Sequence, residues 1–282
     1  MASLGFGSDL RRYYLKTGID EVHGWLSLVD RLLISSLCEV QTAAGVSGAI
    51  GEIGVHHGKL FLVLYLNMHA GEGAFCIDVF ERQELNLDQS GRGDEEVFLS
   101  NLKKFSGQDR VHIFKESSLN VGKDDIVAAV GEARLISIDG GHTSEATAND
   151  LSICDGALSS EGIVILDDYF NPSWPGVSEG VAAYLQAGPA GLAPFAIGEN
   201  KVFFCRPGMQ ARYQADLATR CNELRQKSSE FHGYKVDIYL ADPSLSALLG
   251  KTRWRRCAAL TDKMEKAYAS LKSRIGYRVL AN

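Results

Sequence analysis

The spacing of apolar residues changes character along the chain. Residues 20–44 (DEVHGWLSLVDRLLISSLCEVQTAA) place Val22, Trp25, Leu26, Val29, Leu32 and Leu33 at helical intervals behind Asp20, a suitable N-cap, and predict one amphipathic helix. From residue 48 onward, short apolar runs alternate with helical patterns. Strands are predicted at 48–55 (GAIGEIGV), 74–80 (AFCIDVF), 110–117 (RVHIFKES), 133–141 (ARLISIDGG) and 162–169 (GIVILDDY). Helices are predicted at 59–70, 95–105, 124–131, 145–158 and 176–187. Alternation at this spacing indicates βαβ units and a mainly parallel sheet. Runs such as VHIF and GIVIL are continuously apolar, as strands covered on both faces by helices should be.

The segment PFAIGENKVFFCRP (194–207) reads as two strands across a tight turn, which must be antiparallel. A helix at 209–230, a short strand at 236–240 and a basic helix at 254–275 complete the prediction. The reading is an α/β chain in three parts: an N-terminal helical extension (1–45), a core (46–207) and a C-terminal helical extension with a basic end (208–282).

Composition adds few constraints. With 282 residues, 45% of them hydrophobic, the chain can bury a sizeable core. Net charge is −6, yet residues 251–282 carry nine Lys or Arg against Asp262 and Glu265, so the body is more acidic than the whole. A nucleic-acid partner is disfavoured for such a body. The basic tail reads as a solvated helix face or a homo-oligomer contact ahead of an anionic-ligand site. Six cysteines without a CxxC pair suggest neither a zinc cluster nor a disulfide framework and fit a cytoplasmic location. No secretory signal and no membrane span is expected, since the apolar runs are strand-sized.

Candidate chemistry gathers at strand ends. Glu52-Ile-Gly54-Val-His-His-Gly58 is a glycine turn after the first strand, where backbone can approach a ligand closely; its alternative is a plain strand–helix turn. The GxGxxG fingerprint of nicotinamide enzymes is absent. Asp78, ending the second strand, can accept both hydroxyls of an adenosine ribose or simply cap a turn. Asp139 ends the fourth strand and Asp167-Asp168 the fifth, which would bring three carboxylates to one rim. A divalent cation such as Mg²⁺ would relieve their repulsion; helix capping is the simpler alternative. His142, three residues past Asp139, is a candidate general base or a plain loop histidine. His56 and His57 face cofactor or substrate, and as neighbours on one turn are not expected to share a metal. Tyr169, Phe170 and Trp174 are candidates for an aromatic substrate wall, or loop packing.

Taken together, GEIGVHHGK, FCIDVF, LISIDGGHTSEATANDL and GIVILDDYFNPSWPGVSEGV resemble class I S-adenosylmethionine-dependent methyltransferases, nearest the macrocin-type sugar O-methyltransferases. The resemblance covers roughly residues 45–207, a judgement of pattern. It implies a Rossmann-like, mostly parallel sheet closed by an antiparallel hairpin. It also implies that Glu52 and Gly54 border the methionine part of S-adenosylmethionine, that Gly58 and Asp139 belong to the cofactor site, that Asp78 holds the ribose, and that residues near Ser117 and Ser118 flank the adenine. Asp139, Asp167 and Asp168 match the positions that hold a divalent metal in that branch. One departure concerns the base: several relatives read I-D-G-D, and this chain has Gly141 in place of the second Asp. Either His142 takes over, or deprotonation relies on the metal, or the chain is not a typical O-methyltransferase. The implied activity is methyl transfer to a small-molecule hydroxyl. Its rivals are a metal-independent methyltransferase and a catalytically silent cofactor-binding scaffold.

Overall fold

The computed structural model describes residues 4–107 and 110–241, with side chains from residue 9 onward. The basic helix expected at 254–275, and Cys257, lie outside the described residues. The chain divides into two compact units, one containing residues 1–21 and the other Val22–Ala241. In the first, helix α1 (Leu4–Lys16) runs into a 3₁₀ turn at Gly18–Glu21, where the Tyr13 hydroxyl donates to Glu21 Oε1 at 3.0 Å.

The second unit is built on one sheet. Helix α2 (Leu28–Ala43) precedes β1 (Ala49–Ile53), α3 (Lys59–Tyr65), β2 (Ala74–Ile77), α4 (Glu95–Ser106) and β3 (His112–Phe114). Then come α5 (Lys123–Val130), β4 (Ala133–Ile138), α6 (Ser144–Ala157), β5 (Leu158–Leu166) and α7 (Pro175–Gln186). The described chain closes with β6 (Ala193–Ile197), β7 (Val202–Cys205), α8 (Gln210–Arg220), β8 (Arg225–Phe231) and β9 (Tyr234–Tyr239). The strand order is β3-β2-β1-β4-β5-β7-β6-β9-β8. Strands β1 to β5 pair in parallel, while β7 is antiparallel to both β5 and β6, as the hairpin reading required. The fold is the expected mostly parallel, Rossmann-like sheet with an antiparallel hairpin.

Strands β1, β2, β4, β6 and β7 are buried at every position, and their side chains with α5, α6 and α7 form the core. Burial on both faces is why these segments carry no polar alternation.

Two elements differ from the sequence expectation. Helix α2 starts at Leu28, not near Asp20, because Ser27 is its cap: the Ser27 hydroxyl accepts from the Asp30 N–H at 3.0 Å. Val22 and Trp25 therefore lie before the helix, and Trp25 is 70% exposed. The second difference is β8, where a longer helix was expected. Helix α8 ends at Arg220, and RQKSSEF becomes an edge strand whose polar side chains face solvent. Its partner β9 follows a two-residue turn, His232-Gly233, with φ of 49° and 81°. Positive φ at both positions is the turn geometry that matches strand twist. β9 then pairs in parallel with β6, extending the sheet to nine strands. Among the described residues no helix is long and apolar enough to cross a membrane.

Candidate active site

In a parallel sheet the residues following the strands emerge at one edge, and here the ladder continues one step beyond each strand. The N–H of Gly54 donates to the Ile77 carbonyl at 2.8 Å, that of Asp139 to Ile53 at 2.8 Å, and that of Asp167 to Ile138 at 2.9 Å. These bonds set Gly54, Asp139 and Asp167 side by side at the carboxyl ends of the central strands. A cavity of about 520 Å³ opens there, lined by Glu52, Gly54, Asp78, Ser117, Asp139 and Asp168, among others. Gly54 could be no other residue. Its φ is 81°, and a Cβ would lie 1.9 Å from the Asp139 carbonyl oxygen.

The floor of the cavity is acidic. Glu52 is buried, and its Oε2 has no hydrogen-bond partner among the described residues. Burial, and next the charge of Asp139, push its carboxyl well above the ordinary range. An unmatched buried acceptor at this place fits a ligand that brings its own N–H donors or positive charge. Asp78 accepts from the His56 N–H and the Phe80 N–H, both at 2.7 Å, so its two oxygens brace the glycine turn as well as face the cavity. Burial raises its pKa in spite of those bonds. Ser117 caps the short 3₁₀ turn at Ser118–Asn120, and both serines line the cavity. Gly58, φ 87°, caps α3; a Cβ there would press on the Phe98 ring at 2.8 Å.

The carboxylate rim is organised by partners that the sequence did not reveal. Asp167 does not share its oxygens with the other two acids. Its Oδ2 is paired with the buried Lys201 ammonium, and its Oδ1 accepts from Asn200 Nδ2 at 2.8 Å and the Asp168 N–H at 2.9 Å. Burial lowers Lys201, but Asp167, Asp139 and Asp30 outweigh it and hold the ammonium above its usual range. Lys201 and Asn200 sit in the β6–β7 turn, which Asp30 on α2 fixes by accepting from the Glu199 N–H at 3.1 Å and the Asn200 N–H at 3.3 Å. Asn200 Nδ2 also donates to Asp168 Oδ1 at 2.7 Å.

His142 is gripped between two acids. Nδ1 lies 2.8 Å from Asp88 Oδ2 and Nε2 lies 3.0 Å from Asp168 Oδ2, while Asp139 Oδ1 is 3.9 Å away. The His142 N–H also donates to Asp88 Oδ2 at 2.6 Å. The ring stacks on Trp174, centroids 4.4 Å apart at 17°. Burial pulls the imidazole down, but the bonds to Asp168 and Asp88 and the charge of Asp139 hold its pKa up at about 10. Asp168 has the opposite balance: burial raises it, and hydrogen bonds from His142, Asn171 and Asn200 bring it to about 2. It adopts φ 62°, a left-handed backbone that a non-glycine residue takes up only under local constraint. Asp139 is pushed up to about 7 by burial and then by Asp167, with Lys201 opposing.

Ligand atoms of Asp139, His142 and Asp168 lie within 4.8 Å of one another. Two carboxylates and an imidazole fit a divalent cation. The rim thus places His142 in the position among the donors that sequence reasoning assigned to Asp167. Trp174 lines the cavity, whereas Tyr169 and Phe170 turn to the β8–β9 hairpin, with Phe231 centroids at 4.9 and 6.2 Å. Asp88 lies in a polar loop 54 residues before His142, and no local pattern marks it.

Known proteins place this geometry. Residues 52–169 match a family model described as a methyltransferase domain. No curated protein matches the chain in sequence. Among solved structures, the chain is similar to the O-methyltransferase NovP, with a TM-score of 0.51 and 18% identity over 62% of this chain and 79% of that one. It is also similar to cofactor-bound Rv0187 from MTB, with a TM-score of 0.50 and 14% identity over 71% of this chain and 89% of that one. Residues 52–169, whose strand ends build the cavity, therefore match a methyltransferase domain, and the activity this match supports is that of an S-adenosylmethionine-dependent methyltransferase.

Proposed function

We propose that the protein transfers the methyl group of S-adenosylmethionine to a hydroxyl of a small, sugar-like or glycosidic molecule, with help from a divalent cation such as Mg²⁺. The observation that carries this reading is the cavity at the carboxyl ends of β1, β2, β4 and β5, where a cofactor wall and an acidic rim share one space. In this reading Glu52 and Gly54 receive the methionine part, Asp78 the ribose and Ser117 the adenine side. The likeness to the O-methyltransferase NovP, together with the WPGV and IDGGHT motifs, supports oxygen as the acceptor and the macrocin-type branch as the nearest relatives.

Bound S-adenosylmethionine supplies an activated methyl group whose sulfonium is already a good leaving group, so the protein's task is mainly alignment. Glu52 and Asp139 present carboxyl oxygens to the cofactor's methionine side. Asp139 and Asp168, with His142 beside them, would hold the divalent ion, which supplies a Lewis acid that lowers the acceptor's pKa. Lys201 and Asn200 occupy Asp167, which keeps that carboxylate aimed and compensated. His142 holds a proton at Nε2 against Asp168; with that proton first released to solvent, the neutral imidazole would take the acceptor's proton. Trp174 fixes the plane of the imidazole.

One observation favours a second, metal-independent reading. Asp139 is held near pKa 7, close to the value that suits a general base at neutral pH. It would then take the hydroxyl proton directly while His142⁺ balances Asp168. Chelation separates the two: turnover surviving EDTA selects Asp139 as base, and turnover restored only by Mg²⁺ selects the metal. The parent reading is tested by calorimetric titration with S-adenosylhomocysteine, with and without Mg²⁺. Binding that weakens in Asp78→Ala is expected; no binding under either condition overturns the cofactor assignment.

A further inference from the structure

The cavity rim carries a second group of ligating side chains that methyl transfer does not use. His23, His56 and His57 each offer a ring nitrogen, and the three atoms lie within 4.8 Å of one another. Ring centroids are 4.0 Å apart for His56–His57, 5.2 Å for His23–His56 and 5.6 Å for His23–His57; with His56 at φ 51° the two neighbouring rings converge, against the sequence expectation that they would not share a metal. His57 and His56 sit in the glycine turn after β1, and His23 in the segment before α2 that also brings Gly24 and Trp25 to the cavity.

The backbone holds these rings together from outside the cluster. The His56 N–H donates to Asp78 Oδ2 at 2.7 Å, and this residue adopts φ 51°. The His57 carbonyl accepts from Asn101 Nδ2 at 3.0 Å, and the Gly24 carbonyl from Lys59 Nζ at 3.1 Å. One of the converging rings is unsatisfied: His56 Nδ1 is buried without a hydrogen-bond partner. Burial, and then the neighbouring imidazoles, push His56 down to about 4 and lower His57 as well. Asp94 raises His57 against that trend.

Three imidazoles without a carboxylate are poor ligands for Mg²⁺ or Ca²⁺ and good ones for zinc and its neighbours. Three protein ligands also leave a fourth tetrahedral position open. We propose that His23, His56 and His57 form a zinc site at the cavity rim, separate from the Asp139–His142–Asp168 group. The ion ties the 23–25 segment to the glycine turn and so fixes Trp25, whose ring centroid is 5.4 Å from His23 and 5.7 Å from His56, beside the cavity.

The full chain is titrated with Co²⁺ as a coloured zinc surrogate, read by visible absorption and by quenching of tryptophan emission, and then back-titrated with Zn²⁺. One equivalent of Co²⁺ that Zn²⁺ displaces is expected, with quenching that disappears in Trp25→Phe. The site should persist in Asp168→Asn. In His23→Gln, an exposed position whose change leaves the fold intact, and in His57→Gln, affinity should fall more than about tenfold, the least that even an outer partner of a metal site contributes. Absence of Zn²⁺-displaceable Co²⁺ in the unaltered protein overturns the proposal. So does a site that vanishes in Asp168→Asn, or one that both histidine variants keep at full affinity.

Discussion

Replacing Lys201 by methionine would leave Asp167 buried without its cation, in a rim that already contains Asp139 and, beneath it, Glu52. Lys201 is 1% exposed and Asp167 8%, so water cannot take over the lost contact. Breaking a buried pair from one side destabilises by about 3–5 kcal/mol, because one charge remains uncompensated. For a chain of this size about 1 kcal/mol moves Tm by roughly 2–4 °C, so a fall on the order of 10 °C is expected. The deficit should grow from pH 5 to pH 8. Asp139 has a folded pKa of about 7, raised from its ordinary value, so its protonated form stabilises the fold at low pH and that contribution is lost as pH rises through 7. Lys201 opposes the shift, and without it the folded pKa rises further and the loss deepens. The double variant Lys201→Met, Asp167→Asn removes both charges, keeps an oxygen for Asn200 Nδ2, and should recover most of the stability. Urea unfolding followed by circular dichroism measures all three proteins at both pH values. A single variant within about 1 kcal/mol of the parent, or a double variant no better than the single, would refute the claim that the pair is a closed, mutually dependent unit.

Further predictions concern separate parts of the site. Asp150 on α6 is buried, its Oδ2 is unpartnered, and burial pushes its pKa to about 7. Between about pH 4 and pH 7 the folded state keeps a proton that the unfolded chain has already lost, so stability falls as pH rises; Asp150→Asn should flatten this limb, and a variant-to-parent difference equal at pH 5 and pH 8 in urea melts would contradict it. Gly54→Ala puts a methyl group 1.9 Å from the Asp139 carbonyl at φ 81°, and should abolish S-adenosylhomocysteine binding in calorimetry while lowering Tm. Asp88→Asn removes one of the two acids on His142, so the imidazole pKa followed by NMR should drop from about 10; an unchanged value would show that Asp168 alone holds the proton.

What was legible in the sequence is the part governed by local pattern. Continuous apolar runs identify β1, β4, β5 and β7 because both sheet faces are covered, and the polar residues at or just beyond the ends of the parallel strands come to one edge. That rule alone brings Glu52, Asp78, Asp139 and Asp167-Asp168 near one cavity. It cannot say which acid pairs with which base, because pairing depends on what other elements bring across. Lys201 sits between a turn and the apolar run VFFC, where a lysine reads as a turn residue; only the antiparallel placement of β7 beside β5 puts its ammonium against Asp167. Asp88 reaches His142 from a loop with no periodicity, and Asp30 acts from α2 through the backbone of Glu199 and Asn200. The edge strand β8 was missed for a related reason: with one face in solvent, RQKSSEF carries no apolar alternation, and only the His-Gly turn before YKVDIY marks the hairpin. The absent Asp at Gly141 gains a physical meaning from these contacts. Gly141 borders Ala146, where a Cβ would already approach within 3.1 Å. A longer acidic side chain there would compete for the space and charge that Asp88 and Asp168 spend on His142. The rim of this chain is therefore arranged around an imidazolium between two carboxylates, and a proton leaving the acceptor must be exchanged with that triad or with Asp139, which EDTA and the Asp88→Asn variant distinguish.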